Sequence, residues 1–137
     1  MGTGFYGGFG NTKGKLIPDH LLTKLELSGV KFSKENIVMI TETQEGELVW
    51  LEKGNRFAGL EHIILRHETD IFQKFGVTKD EIPAFIKEII EKGELIHRRP
   101  NKNGIERIYL YNGKHYILNG VGNNGFIVTI YPIGDIK

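Results

Sequence analysis

Two imidazoles and a guanidinium fall within the short run Leu60-Glu61-His62-Ile63-Ile64-Leu65-Arg66-His67. These side-chain types suffice to cleave RNA without a metal ion. One histidine takes a proton, the other returns it, and the arginine holds the phosphate. On a helix advancing about 100° per residue, His62 and Arg66 lie together, while Leu60, Ile63, Ile64 and His67 share another face. His62 and Arg66 therefore suit one phosphate, although a plain solvated face explains them as well. His67, near the helix end, either turns into a cleft or serves as a core histidine bonded to a carbonyl. A zinc helix fits poorly, because its two histidines stand four residues apart rather than five. Neither a metal nor a cofactor is expected. Of the remaining histidines, His20 and His115 read as structural or superficial, and His97 beside Arg98-Arg99 is the best placed to meet phosphate.

The elements that position these groups can be read from periodicity. Residues 1–15, glycine-rich with three aromatics, read as a flexible linker or arm, leaving 16–137 as a single domain. Pro18 suits a first helical turn, Leu21, Leu22 and Leu25 form an apolar stripe, and Gly29 stops it. Strand-like runs at 36–41 and 47–52 join around Gln44-Glu45-Gly46 as a hairpin, and Gly54-Asn55 breaks the second. The histidine helix is expected over about 58–70, followed by a short segment carrying Ile71, Phe72 and Phe75 to Gly76. Thr78 and Glu81 spell a capping box before a helix whose buried face is Ile82, Phe85, Ile86, Ile89 and Ile90. Strands follow at 94–99, 106–111, 114–120 and 126–131, with Asn112-Gly113 the strongest hairpin signal. Helices first and an antiparallel meander after them predict an α+β domain. Two formal matches to the dinucleotide fingerprint, at 2–7 and 120–125, lack the strand–helix context and read as turns.

A two-residue turn at Asn112-Gly113 sets Tyr109 opposite Tyr116 and Arg107 opposite Leu118; one at Asn124-Gly125 sets Leu118 opposite Tyr131. One face then collects Ile108, Leu110, Ile117, Phe126, Val128 and Ile130 as core. The other collects Arg107, Tyr109, Tyr111, Lys114, Tyr116, Thr129 and Tyr131 as a solvated surface, although a three-residue second loop would reverse the last strand. Aromatic rings stack on bases and cations track phosphates, so this face, with Lys53, Arg98 and Arg99, is an expected RNA-binding surface. Between Lys92 and His115 stand six cations (Lys92, Arg98, Arg99, Lys102, Arg107 and Lys114) against Glu94 and Glu106. Tyrosines are also good strand formers, and a face covered by the N-terminal segment would look the same.

Composition narrows the classes. The 137 residues carry 18 Lys+Arg against 17 Asp+Glu, which argues against an indiscriminate polyanion binder and allows a local basic face. The absence of cysteine removes disulfides, thiolate nucleophiles and cysteine–zinc sites. No apolar run reaches membrane-spanning length, and no signal peptide is read.

Two separated segments carry a family resemblance: Leu51-Glu52-Lys53-Gly54-Asn55 leading into Gly59-Leu60-Glu61-His62-Ile63 with Arg66-His67, and Asn124-Gly125-Phe126-Ile127-Val128-Thr129-Ile130-Tyr131-Pro132. Over about residues 48–133 the chain resembles toxin nucleases of the Barnase/EndoU/colicin/RelE group, the C-terminal effector domains of polymorphic and contact-dependent inhibition toxins and their phage-borne relatives. The resemblance implies N-terminal helices packed on a four- to five-stranded antiparallel sheet. It also implies metal-independent ribonuclease activity, often on tRNA, neutralised by an immunity protein. The group's catalytic positions fall on His62, Arg66, His67, Thr129 and Tyr131. The chain is then a piece of a delivered effector acting in the target-cell cytoplasm, either a monomer or a heterodimer with its immunity protein. Two other readings remain: a non-catalytic RNA- or protein-binding module, and a phage accessory protein that keeps only the fold.

Overall fold

The computed structural model describes residues 16–67, 76–101, 104–121 and 125–133. The arm at 1–15, the expected helix end at 68–70, the segment at 71–75, Lys102 and the turn residues 122–124 lie outside them. Among the described residues stand three α-helices and six strands: α1 (Asp19–Ser28), β1 (Ile37–Glu42), β2 (Leu48–Glu52), α2 (Leu60–His67), α3 (Ile82–Lys92), β3 (Glu94–Asn101), β4 (Gly104–Tyr111), β5 (Lys114–Val121) and β6 (Phe126–Ile133). None of these helices is long and apolar enough to cross a membrane.

The strands form one sheet in the order β1-β2-β6-β5-β4-β3. Every neighbouring pair is antiparallel except β2 and β6, which run parallel and meet at the single pair Trp50↔Phe126. The chain is α+β, but the expected architecture is corrected. The sheet has six strands and is mixed, and only α1 precedes the strands; α2 and α3 lie between β2 and β3. What joins the first hairpin to the meander is Gly125. Its carbonyl accepts from the Trp50 amide at 3.0 Å, and a Cβ there would stand 2.1 Å from the Leu48 carbonyl oxygen. A glycine's missing side chain thus lets the two backbones meet, which no hydrophobic periodicity reveals.

The sheet curls around α3. Glu47, just before β2, reaches across the positions of β6 and β5 to bond Arg107 on β4 and Arg98 on β3. In the same way Gln44 Nε2 donates to the Gly93 carbonyl at 2.8 Å. Inside the curl, Ile82, Ile86, Ile89 and Ile90 of α3 bury against Met39, Val49, Leu51, Tyr109, Tyr116, Leu118, Ile127 and Ile130. On the opposite face, Leu21 and Leu25 of α1 close over Ile37, Ile40 and Trp50. Phe32 and Phe126 set their rings edge-on to the indole at 6.4 and 6.2 Å.

On β4 and β5 the expected sheet faces are therefore inverted, whereas Ile130 of β6 is core as expected. Tyr109 and Tyr116 are 1% and 3% exposed beneath α3, whereas Ile108, Leu110, Ile117 and Val128 are only half-buried on the other side. Phe85 decides the matter, meeting Tyr111 and Tyr116 edge-to-face at 6.2 and 6.0 Å. The β5–β6 register is corrected as well. A bulge at Asn119/Gly120 leaves Val128 unpaired, so Leu118 faces Ile130 and Ile117 faces Tyr131. The shift pairs Thr129 with Asn119 and Tyr131 with Ile117, in place of the expected Gly120 and Leu118.

Candidate functional site

Where β2 and β6 part, the chain from Lys53 to Gly59 folds into a tight turn that feeds α2. Gly54 and Gly59 take φ of +65° and +89°. A Cβ at Gly54 would lie 2.0 Å from the Ala58 oxygen, and one at Gly59 would lie 2.8 Å from the Glu52 oxygen. Both positions therefore require glycine. Between them, Asn55 N donates to Ala58 O at 2.9 Å, and Phe57 N donates to Asn55 Oδ1 at 2.8 Å, an Asx turn. Gly59 N donates to Val128 O at 2.8 Å, and Glu61 N to Lys53 O at 2.9 Å. These bonds seat the first turn of α2 beside β6. Ile63 is fully buried, and Leu60, Ile64 and Tyr131 pack at the edge of the same core.

His62 is half-buried, with Nδ1 2.9 Å from the carbonyl oxygen of Arg56. A carbonyl only accepts, so Nδ1 carries a proton and the neutral ring has its lone pair on Nε2. Arg66, exposed, follows one turn later on the same side of α2. His67 closes the helix, and its side chain lies outside the described residues. Thr129 is 7% exposed, and its Oγ1 finds no hydrogen-bond partner among the described residues. The fold thus sets α2, with His62 and Arg66, next to the strand that carries Thr129 and Tyr131.

The residues expected to bind RNA divide sharply. Arg98 donates from Nη2 to Glu47 Oε2 at 2.6 Å and from Nε to Oε1 at 3.2 Å. Arg107, its side chain only 4% exposed, donates from Nη2 to Glu47 Oε1 at 2.7 Å. Arg98, and less strongly Arg107, hold the Glu47 carboxyl below its usual range against the opposing effect of burial. Glu106 occupies Arg99 at 3.2 Å and lies 3.6 Å from His97 Nε2. Burial pushes the Tyr109 phenol up to about 12, and its hydroxyl has no hydrogen-bond partner among the described residues. Tyr116 is also raised by burial, and Tyr111 by burial and by donating to Glu88. Tyr109, Tyr116 and Arg107 have no open surface, which corrects the expected RNA-binding face; the half-buried Tyr111 is committed to Glu88. Lys114 remains exposed in its turn.

Lys53 is different. Among the described residues the exposed Lys53, Arg56 and Arg66 make no ion pair, as is also true of Lys31, Lys79 and Lys114, whereas Lys24, Lys34, Lys87, Lys92, Arg98, Arg99 and Arg107 all do; the first three share the turn and helix that carry His62. Arg56 places its guanidinium 5.0 Å from the centroid of the Phe57 ring. These two residues were not singled out from the sequence. The available signal was a phenylalanine inside a glycine-bracketed turn, out of step with any apolar period. No three His, Asp or Glu side chains among the described residues gather closely enough to hold a metal ion. No protein-family model matches the chain, and no curated protein matches it significantly.

Proposed function

We propose that the chain is a metal-independent endoribonuclease toxin, with tRNA the foremost substrate. The observation that carries the reading is His62, oriented by the Arg56 carbonyl and accompanied on its turn and helix by Lys53, Arg56 and Arg66, which have no carboxylate partner among the described residues. His62 Nε2 takes the proton of a ribose 2′-hydroxyl, and the freed oxygen attacks the adjacent phosphorus. The bond from phosphorus to the 5′-oxygen breaks, and that oxygen receives a proton from His67 or Tyr131. The products are a 2′,3′-cyclic phosphate and a 5′-hydroxyl. Arg66 and Lys53 hold the non-bridging oxygens. Thr129, its hydroxyl enclosed, serves as a positioning residue in the strand that seats α2.

General acid–base help is worth about 10²–10⁴-fold and an oxyanion contact about 10²–10³-fold. The assignment to toxin and immunity protein rests on the sequence resemblance and places the activity in a target-cell cytoplasm. The test is cleavage of total tRNA in the presence of chelator. His62→Ala is expected to lose at least about 10²-fold in rate with an unchanged circular dichroism spectrum. Wild-type rates from that variant, or products with linear 3′-phosphates from the outset, would refute the mechanism. Growth arrest on expression, relieved by the adjacent small open reading frame, tests the toxin assignment.

A further inference from the structure

The structure assigns a second role to the turn before α2: we infer that Arg56 and Phe57 form a stacking clamp for one unpaired base of single-stranded RNA beside His62. This rests on the ribonuclease reading and extends it to the form of the substrate. Phe57 is 71% exposed, and it is the only aromatic among the large apolar side chains that the described residues leave open, the others being Leu27, Leu65 and Ile96. Its ring has two faces. The Arg56 guanidinium stands over one at 5.0 Å, and the exposure leaves the other to solvent. An aromatic face backed by a cation is what a base stacks on.

The turn fixes the backbone that carries this ring before any ligand arrives. The Asx bond from Phe57 N, the Asn55–Ala58 backbone pair, the two glycines and the His62–Arg56 bond fix the backbone on both sides. A fixed platform spares the ordering cost that a floppy loop would incur on binding. The same His62–Arg56 bond couples clamp and catalytic group, so a base on Phe57 brings its own or a neighbouring ribose to the imidazole.

Charge selects the partner. Among the described residues Lys53, Arg56 and Arg66 have no carboxylate partner, while the half-buried Glu52 carboxylate accepts from Ser33 N at 3.1 Å and Trp50 Nε1 at 3.0 Å. Exposed Glu61 is the one opposing charge on the first turn of α2. An excess of cations around an exposed ring fits phosphate and base together. A duplex already stacks its bases on one another and offers no free face, so the clamp selects loops and unpaired ends.

The test separates binding from cleavage by using a fluorescent 2′-O-methyl hexanucleotide, which has no 2′-hydroxyl proton to lose. Binding to the full chain is read by anisotropy, with the same sequence in a duplex as control. Phe57→Ala and Phe57→Leu are expected to weaken single-strand binding about five- to hundredfold, Phe57→Trp to retain it, and the duplex to respond little to any of them. Leucine binding as tightly as phenylalanine, equal losses on the duplex, or no single-strand binding by the unaltered chain each overturns the clamp. So does a ring that matters only for affinity to an immunity protein, which would make it a protein contact. If ring-dependent binding survives while no tRNA is cleaved, the clamp stands and the catalytic reading falls.

Discussion

Neutralising Glu47 should cost more than removing its deeper partner, Arg107. The Arg107 side chain is 4% exposed and that of Glu47 is 31% exposed. In Glu47→Gln a guanidinium stays buried, its Nε already without a partner among the described residues, and loses the charge 2.7 Å from its Nη2. Breaking a buried pair this way costs about 3–5 kcal/mol. Water reaches the carboxylate side, so about 2–3 kcal/mol is the better expectation. In Arg107→Met the residue left behind is a carboxylate that is partly solvated and still held by Arg98 through two bonds. A methionine fills the apolar space, and the loss should be about 1 kcal/mol or less. Urea denaturation followed by the fluorescence of Trp50, the chain's one tryptophan and fully buried, reads both variants. Equal losses, or a larger one at Arg107, would show that the pair is not governed by which charge is stranded. The acid limb gives a second reading. Because the Glu47 carboxyl is lowered in the folded chain, its contribution is complete above the ordinary value of 4.5 and disappears as pH falls through the lowered one. The Gln variant should lack that part of the acid response.

Gly59→Ala should lower the thermal midpoint, at a cost of about 1–3 kcal/mol, because φ is +89° and the new Cβ meets the Glu52 oxygen at 2.8 Å; a midpoint equal to wild type would mean that the turn relaxes freely. Tyr109→Phe should stabilise the fold by up to about 1 kcal/mol in urea, since the buried hydroxyl it removes has no partner among the described residues. In the unaltered chain, stability should also fall as pH rises from the ordinary 10.0 toward about 12, where unfolded Tyr109 ionises and folded Tyr109 does not. Phenolate absorbance along an alkaline titration would show whether that limb is shallower in the Phe variant.

Much of the local structure was legible because its causes are local. Asn112 and Gly113 take φ of +50° and +78°, the positive pair of a tight hairpin turn, and Tyr111↔Lys114, Tyr109↔Tyr116 and Arg107↔Leu118 follow from it. The Thr78–Glu81 box forms, with Thr78 N donating to Glu81 Oε1 at 2.8 Å, and the isoleucine stripe behind it is the buried face of α3. Strand alternation, by contrast, marks two faces without saying which is covered. Here Ile108, Leu110 and Ile117 on one side compete with Tyr109, Tyr116 and Leu118 on the other. Phe85 and Glu88, on another element, choose the tyrosines. Charge counting failed for the same reason. Of the six cations between Lys92 and His115, Arg98 and Arg107 look available until Glu47, 51 and 60 residues away, folds back onto both.

The candidate site depends on a feature that no local pattern announces, the single parallel pair between β2 and β6. An eight-residue helix such as α2 is too short to hold itself together in water. It survives because β2 leaves β6 after Trp50↔Phe126, freeing the Val128 carbonyl in the β6 bulge to accept from Gly59. Had β2 continued alongside β6, that carbonyl would belong to the ladder and the turn carrying Arg56 and Phe57 would have no seat. The divergence of two strands therefore sets the orientation of His62 through the Arg56 carbonyl, and with it every distance on which acid–base chemistry at α2 would depend.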